Sequence, residues 1–345
     1  MRKLFSIPSF SSLSGPLKEA SSLFDRQVFE SLLGGKRLRA ILEMASCLCA
    51  GKEGGAQAAC AIEIFQAGAL VHDDIVDKSE VRRGRPSGRK AFFSSLSSPT
   101  FDFESADAMA IMLGDFLASA SVEALLESDM ANNGSAAIRA FCRMQMQVEK
   151  GQILDINSPS LPLSDVKGLE EGIKNIYLYK TASYTSIAPI SLGFLEAGKD
   201  EEKAEKWGEK IGSPLGVAFQ IYDDLLDLKG GLKPKGGDVR EKKRTFLLAD
   251  AISLLSPKDR GDLIRLYEKE DLKGREGEVM DMFESCGAVK KSHERIKKLY
   301  LKASLALDEC SSELNLETEE KEFLGRALGL FIPKEDLPSP TPESL

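Results

Sequence analysis

Apolar residues recur three and four positions apart along most of the chain. This spacing places them on one face of a helix, so it predicts amphipathic α-helices. Alternating β-branched runs bounded by turn residues, which would indicate strands, are almost absent from the sequence. The pattern therefore predicts a mainly helical protein, with helical segments at 38–50, 56–77, 106–127, 135–157, 169–197, 201–229, 243–255 and 289–330.

Polar and turn-forming residues interrupt this pattern at few places. Serine, proline and glycine indicate loops at 94–105 and 229–237, and the role of the first loop stays open. We assign residues 1–332 to a single domain and the proline-rich, polar residues 333–345 to a flexible tail. No stretch approaches the roughly 20 apolar residues of a membrane span, so none is predicted.

Composition narrows the class of protein. The 345 residues are 42% hydrophobic and 29% charged, which supports a sizeable buried core. The 46 Lys and Arg against 54 Asp and Glu give a net charge of −8, which argues against nucleic-acid binding through a general basic surface. The six cysteines form no CxxC pair, and serines and a proline interrupt the start of the chain before any apolar run of signal-peptide length. We therefore expect a cytoplasmic protein.

The first candidate site closes the helical segment that begins at residue 56. In the sequence His72-Asp73-Asp74-Ile75-Val76-Asp77, Asp73 and Asp77 are four apart and share one helix face. Two carboxylates on one face repel each other unless a cation lies between them. Mg²⁺ suits that position, because it prefers oxygen ligands and bridges one or two carboxylates to substrate phosphates. We interpret His72 as a structural hydrogen-bonding partner rather than a general base.

A second acidic cluster repeats this spacing as Asp223-Asp224-Leu225-Leu226-Asp227. A lone cluster of this kind is usually a solvated helix face. Here both copies follow strongly apolar helix segments, where unpaired carboxylates are costly. The two clusters together therefore favour metal binding.

Basic residues between and around the two clusters suit a phosphate ligand. A glycine pair precedes three basic residues in Gly34-Gly35-Lys36-Arg37-Leu38-Arg39, so backbone amides and cationic side chains can converge on one phosphate. Arg82-Arg83-Gly84-Arg85-Pro86 follows the first acidic cluster closely. Alone, each run would be an ordinary helix start or a charged surface.

Taken in order, these motifs resemble the trans-isoprenyl diphosphate synthase family. The matching segments are GGKRLR at 34–39, LVHDDIVDKSEVRRGRP at 70–86, LGDFLAS at 113–119, YKTAS at 179–183, FQIYDDLLD at 219–227 and KPKGGD at 233–238. The resemblance implies an all-α, single-domain bundle of antiparallel helices around a deep central cavity, usually as a homodimer. It also implies an all-trans polyprenyl diphosphate synthase, which joins isopentenyl diphosphate head-to-tail to an allylic diphosphate with about three Mg²⁺ ions.

The resemblance also implies roles for individual residues. The magnesium ligands would be Asp73, Asp77 and Asp223, and the wider catalytic set would add Asp74, Lys180, Asp224 and Asp227. The isopentenyl diphosphate site would comprise Gly35, Lys36, Arg39, Gln66 and Arg83. The allylic diphosphate site would comprise Arg82, Lys180, Thr181, Gln220, Lys233 and Lys243.

Some positions depart from the family pattern or have a simpler interpretation. Ala40 replaces the usual proline, Leu232 the glycine before Lys233, and Lys242 the glycine before Lys243. Gln66 and Gln220 are also explicable as hydrogen-bonded polar residues of their helices, and Lys243 as part of a basic surface.

Product length in this family depends on the residues four and five places before the first aspartate, which here are Ala69 and Gly68. Both are small, so we expect an open cavity floor, with Phe65 about one turn further along the same face as the next obstacle. This predicts a twenty-carbon product, geranylgeranyl diphosphate, with twenty-five carbons or more as the alternative. Side chains of a facing helix would alter this limit, the candidates being Met109, Met112 and Phe116.

Two other functions use related parts. A class I terpene cyclase also has an aspartate-rich motif and magnesium, but its second metal motif is normally of an Asn/Ser/Glu type, and it has no need of GGKR. A non-catalytic partner subunit of a prenyl synthase typically loses an acidic motif, whereas this chain keeps both.

Overall fold

The computed structural model describes residues 13–96, 101–130, 132–230, 235–269 and 272–337. Within these ranges the chain is almost entirely helical, and its one sheet pairs two strands of two residues each, β1 (Val81–Arg82) and β2 (Arg85–Pro86). The prediction of an all-α fold is confirmed. In chain order the α-helices are α1 (Gly15–Ser31), α2 (Leu38–Cys49), α3 (Ala56–Val76), α4 (Gly88–Ser95), α5 (Phe103–Leu126), α6 (Gly134–Ile156), α7 (Val166–Ile176), α8 (Ala188–Glu196), α9 (Glu201–Lys229), α10 (Gly237–Arg240), α11 (Phe246–Leu254), α12 (Pro257–Lys269), α13 (Glu276–Ser285), α14 (Ala288–Leu314) and α15 (Thr318–Gly329).

Most predicted segments coincide with one observed helix, and two are divided. The segment 169–197 comprises most of α7, a π-helical segment (Tyr177–Ile187) and α8, and the segment 289–330 comprises α14 and α15. The periodicity does not predict α1, α4, α10, α12 and α13. Of the two predicted loops, residues 97–100 and 231–234 lie outside the described residues.

The chain divides into two compact units. Unit 1 contains the described residues of Met1–Ala40 and Gly55–Asp129, and unit 2 those of Ile41–Gly54 and Met130–Leu345. The single domain assigned from the sequence stays a prediction.

In unit 1, α3 and α5 lie in close contact because glycines face each other. A Cβ added at Gly68 of α3 would lie 2.9 Å from the carbonyl oxygen of Gly114 on α5 and 3.1 Å from Leu117 Cβ. His72 lies over Gly114, in space that a Cβ there would occupy. Its ring nitrogen Nε2 lies 3.3 Å from the carbonyl oxygen of Ile111, which agrees with the structural role predicted for His72.

In unit 2, α9 packs against the π-helical segment and α8 through three glycines spaced four apart: Gly208, Gly212 and Gly216. A Cβ at Gly212 would lie 2.7 Å from Ile187 Cα, so only glycine permits this approach of the two backbones. α14 covers another side of α9. The segment that carries the second acidic cluster is therefore fixed by packing along its length.

The described end of the chain is anchored to unit 2. Residues Lys334–Asp336 form a 3₁₀ turn, and Asp336 is buried, with its Oδ2 2.6 Å from His293 Nδ1 and its Oδ1 3.5 Å from Lys297 Nζ. The predicted tail begins at residue 333, so its first residues are packed, and residues 338–345 lie outside the described residues.

One described helix, α5, is long and apolar enough to cross a membrane by length and composition. This is weak evidence, because core helices of soluble proteins pass the same test, and α5 here packs along α3. The expectation that no segment spans a membrane stays a prediction.

Candidate active site

The first acidic cluster lies at the carboxyl end of α3. Asp77 caps the helix, and its backbone N–H donates to the carbonyl oxygen of Asp73 at 2.9 Å. Asp73 is partly exposed, whereas Asp74 points to the other side of the helix and is only 2% exposed. The repeated carboxylates of the motif therefore do not have one role, since burial separates Asp74 from Asp73 and Asp77.

Arg82 connects this cluster to the short β-hairpin. Its Nε donates to Asp74 Oδ1 at 2.8 Å, and its Nη2 lies 3.2 Å from Asp73 Oδ2. Burial acts to lower the pKa of Arg82, but the hydrogen bond and charge of Asp74 outweigh it and raise that pKa above its ordinary value. A permanently charged guanidinium thus lies between the buried and the exposed carboxylate.

The hairpin turn places Arg83 beside the glycine pair. Arg83 and Gly84 both have positive φ, 53° and 75°, as a two-residue type I′ turn requires. Arg83 Nη1 donates to the carbonyl oxygens of Leu33 at 3.1 Å and Gly34 at 3.4 Å. A Cβ at Gly35 would lie 3.0 Å from Arg83 Nη2, so the glycine makes room for the guanidinium.

The surroundings of Arg83 are electropositive. Burial and the neighbouring charges, of which Arg37 is the largest, lower the pKa of Arg83. Arg37 itself pairs with Glu63 of α3, with Nη1 2.9 Å from Oε2. Glu63, which sequence reasoning missed, thus holds the glycine-rich segment against α3. An anionic ligand would relieve the repulsion among these arginines.

The remaining residues predicted for isopentenyl diphosphate differ in exposure. Lys36 is exposed, Arg39 is buried in the first turn of α2, and Gln66 is partly buried on α3. The structure brings Gly35 and Arg83 into contact, while within the described residues no hydrogen bond joins Gln66 to either of them.

In unit 2 the second acidic cluster repeats the division seen in the first. Asp223 is exposed, and Asp224 is buried at 3% exposure. Gln220 Nε2 donates to Asp224 Oδ1 at 3.0 Å, and the Thr181 hydroxyl donates to Gln220 Oε1 at 2.6 Å. The hydroxyl of Tyr177 donates to the other oxygen of Asp224. Burial, followed by the charge of Asp238, raises the pKa of Asp224 well above its ordinary value.

Asp227 supports the turn that precedes α10. Its carboxylate accepts hydrogen bonds from the backbone N–H groups of Gly237 at 3.1 Å and Asp238 at 3.2 Å. Burial and the charge of Asp238 raise the pKa of Asp227 to about 6. Lys243 pairs with Asp238 at 3.3 Å and with Glu241 at 3.0 Å. Asp238 therefore belongs to this cluster. In the sequence it is only the last residue of the KPKGGD segment, and no role was predicted for it.

Of two lysines predicted for the allylic diphosphate site, Lys180 and Lys233, the structure describes only the first. Lys180 lies in the π-helical segment, a distortion that often occurs at functional sites, and its Nζ is 2.5 Å from Asp155 Oδ2 of α6. Asp155 is a partner that sequence reasoning missed. Lys233 lies outside the described residues.

The residues predicted to limit product length have unequal surroundings. Phe65 is 6% exposed and Ala69 is partly exposed, whereas Gly68 faces the α5 backbone. The structure therefore gives Gly68 a packing role. A cavity of about 610 Å³ in unit 1 lies on the α3 face of Ala67, Leu70 and Val71 rather than on that of Ala69.

Comparisons with known proteins show which proteins this chain resembles. The polyprenyl synthetase family pattern matches residues 23–286. Geranylgeranyl pyrophosphate synthase 11, chloroplastic, of Arabidopsis thaliana is 32% identical over 263 residues, which are 71% of this chain and 68% of that protein. The short chain isoprenyl diphosphate synthase of Methanothermobacter thermautotrophicus is 32% identical over 270 residues, which are 75% of this chain and 76% of that protein. A solved geranylgeranyl pyrophosphate synthase from Corynebacterium glutamicum, complexed with isoprenyl diphosphate and magnesium, has a TM-score of 0.78 at 27% identity, covering 92% of this chain and 91% of that one.

The all-α fold is that of the solved isoprenyl diphosphate synthases. The resemblance inferred from the motifs is confirmed: this chain belongs to the polyprenyl synthetase family. As a member of that family it is a prenyltransferase.

Proposed function

We propose that this chain is an all-trans polyprenyl diphosphate synthase that joins isopentenyl diphosphate head-to-tail to an allylic diphosphate. The observation that carries the proposal is the contact of Arg82 with both Asp73 and Asp74, beside a glycine-rich segment in contact with Arg83. This arrangement offers an exposed carboxylate face for a cation and an electropositive pocket for a phosphate. The names of the relatives support the same reaction.

Magnesium fits the donor groups. The described residues contain no group of three or more His, Cys, Asp or Glu that could hold a metal ion by itself. Mg²⁺ does not need one, because it usually keeps several waters and is bound through one or two carboxylates together with substrate phosphates. Asp73, Asp77 and Asp223 are the proposed carboxylates, and about three ions is the proposed number by family resemblance. When bound, the ions would neutralise charge on the diphosphate.

The protein's own contribution is electrostatic. The allylic C–O bond breaks, the bonding pair leaves with the diphosphate, and the isopentenyl double bond attacks the resulting carbocation. Loss of a proton to the released diphosphate then restores a double bond. Arg82, Lys180 and the proposed Lys233 would stabilise the charge that develops on the leaving group.

The two substrates would be held by separate sets of side chains. For isopentenyl diphosphate we propose Gly35, Lys36, Arg39, Gln66 and Arg83. For the allylic diphosphate we propose Arg82, Lys180, Thr181, Gln220, Lys233 and Lys243. Thr181 and Gln220 are hydrogen-bonded to each other, so they would act as one unit.

Product length is proposed to be twenty carbons. Two relatives described above carry the name geranylgeranyl pyrophosphate synthase. Phe65, which is almost fully buried on α3, is the proposed limit, with longer products as the alternative.

A homodimer is also proposed from the family resemblance. The cytoplasmic location expected from the sequence stays a prediction, because a relative is named as chloroplastic.

The experiment that tests the function supplies isopentenyl diphosphate with allylic starters of five, ten, fifteen or twenty carbons, with Mg²⁺ or with a chelator. Products are sized by mass spectrometry. We expect chains that end at twenty carbons and that form only with Mg²⁺. Hydrocarbon release without isopentenyl diphosphate would instead indicate a cyclase, and absence of elongation from every starter would indicate a partner subunit.

A further inference from the structure

Tyr177 begins the π-helical segment and is almost completely buried, at 4% exposure. Its hydroxyl donates to Asp224 Oδ2 of the second acidic cluster. Its ring meets the ring of Phe246 edge to face, with centroids 5.4 Å apart and an interplanar angle of 89°. Tyr177 therefore contacts α9 through its hydroxyl and the start of α11 through its ring.

These contacts join the segments of unit 2 that carry proposed ligands. The π-helical segment carries Lys180 and Thr181, α9 carries the aspartates, and the turn before α11 carries Lys243. The ring of Phe246 is in turn covered by the guanidinium of Arg295, 4.3 Å from its centroid. Tyr177 is thus held on its ring side, and its hydroxyl has a fixed position.

The buried carboxylate of Asp224 has two donors on opposite oxygens. Gln220 Nε2 lies in the same helix, four residues earlier, and reaches the π-helical segment only indirectly, through the hydroxyl of Thr181. Tyr177 is the donor from another element, so it fixes α9 relative to the π-helical segment. Removing it would leave a buried carboxyl oxygen without its donor, which costs the desolvation of that oxygen as well as the hydrogen bond.

We propose that Tyr177 is a positioning residue of the reaction: its hydroxyl holds Asp224, and so sets the neighbouring Asp223 against Lys180 and Thr181. It is not a catalytic residue, because it is buried behind Asp224. This inference rests on the proposed function of the second acidic cluster. Tyr177 lies outside the motifs that carry the family resemblance.

The test compares Tyr177→Phe with Tyr179→Phe. The first removes one buried hydroxyl and keeps the ring against Phe246, and the second removes a hydroxyl from a side chain 37% exposed in the same segment. Isothermal titration calorimetry with inorganic diphosphate and Mg²⁺ measures binding without turnover. For Tyr177→Phe we expect diphosphate binding to weaken by roughly tenfold or more, the scale of leaving one buried polar group without its partner. For Tyr179→Phe we expect unchanged binding.

Steady-state kinetics distinguish positioning from general destabilisation. For Tyr177→Phe we expect KM for the allylic diphosphate to rise and KM for isopentenyl diphosphate to stay unchanged, because the latter is assigned to unit 1. Equal changes in both constants, or diphosphate binding equal to that of the unaltered protein, would overturn the proposal. If the unaltered protein transfers no prenyl group, the proposed function fails, while the calorimetric comparison still decides the role of Tyr177.

A double-mutant cycle tests the route of the effect. If Tyr177 acts through Asp224, then Tyr177→Phe combined with Asp224→Asn should bind diphosphate no more weakly than Asp224→Asn alone. Additive losses would show that Tyr177 acts elsewhere and would refute the assigned partner.

Discussion

The contact between Gly68 and α5 separates a packing role from a role in product length. A Cβ at Gly68 would lie 2.9 Å from the carbonyl oxygen of Gly114 and 3.1 Å from Leu117 Cβ. Neither neighbour can move by a side-chain rotation, because one is backbone and the other is a Cβ atom. Gly68→Ala should therefore push α3 and α5 apart by a few tenths of an ångström.

The magnitude follows from two opposing effects. Alanine is favoured over glycine in a helix interior by up to about 1 kcal/mol. Overpacking of a closely packed interface costs about 1–3 kcal/mol. We expect a net loss of about 1–2 kcal/mol in the free energy of unfolding, and a Tm lower by about 2–4 °C per kcal/mol or somewhat less in a chain of this size.

Gly261→Ala is the matched control. Gly261 lies inside α12, and a Cβ there would meet nothing within 4 Å. The same substitution should therefore raise stability by up to about 1 kcal/mol. The two variants are expected to change stability in opposite directions.

The assay is thermal and urea unfolding followed by circular dichroism, with product mass measured for each variant. Gly68→Ala should leave product length unchanged, because the added methyl group points at α5. A Gly68→Ala variant that is as stable as the unaltered protein, or that makes a shorter product, would refute the packing role and restore Gly68 as part of the cavity floor.

The other predictions concern Phe65, Asp227 and the cysteines. Phe65→Ala should lengthen the product beyond twenty carbons and cost about 3–5 kcal/mol of stability, as measured by product mass and urea unfolding; an unchanged length would contradict the proposed limit. The raised pKa of Asp227, about 6, means that the folded protein binds the proton more tightly than the unfolded chain, so this group's contribution to stability is lost as pH rises from about 4 through about 6. The free energy of unfolding of Asp227→Asn relative to that of the unaltered protein should therefore increase by about 2–3 kcal/mol as pH rises from about 4 to about 7, as measured by urea unfolding. A difference that does not change with pH would contradict this. Mass spectrometry after iodoacetamide treatment near neutral pH should find the exposed Cys60 alkylated first. Burial raises the pKa of the Cys47, Cys49 and Cys310 thiols to about 12, so early labelling of these three would contradict the reasoning.

The sequence predicts helices best where an apolar face is continuous. It misses α12, a mostly polar helix in which Leu263, Leu266 and Tyr267 are buried. It also treats 169–197 as one helix, because a π-helical segment hardly changes the spacing of apolar residues. The cause of that segment's close packing is visible only in three dimensions, where Gly151 and Gly216 lie against its backbone.

Residue types in the candidate site were predictable, but their partners were not. The motifs indicated which carboxylates and cations to expect, and Arg82 does contact the first cluster. Nothing in the spacing indicates that Lys180 would pair with Asp155 or that Tyr177 would reach Asp224, because these contacts join helices distant in sequence. Pattern also says nothing of buried acids such as Glu43, which burial and a neighbouring glutamate keep at a raised pKa.

In both acidic clusters the second aspartate is buried and the first is more exposed, and the spacing of the residues explains this difference. Residues one and five of each pentad are four apart and share a helix face, whereas residue two is turned by about 100° toward the packed side. In unit 1 that second aspartate, Asp74, is held by Arg82, and in unit 2 its counterpart Asp224 is held by Tyr177 and Gln220. One is held by a charge and the other by neutral donors, which only partly offset the rise in the pKa of Asp224 caused by burial and by the charge of Asp238. The same five-residue pattern thus combines a more exposed first carboxylate with a buried second carboxylate that fixes the helix end. The partner of the buried carboxylate makes the two clusters chemically distinct.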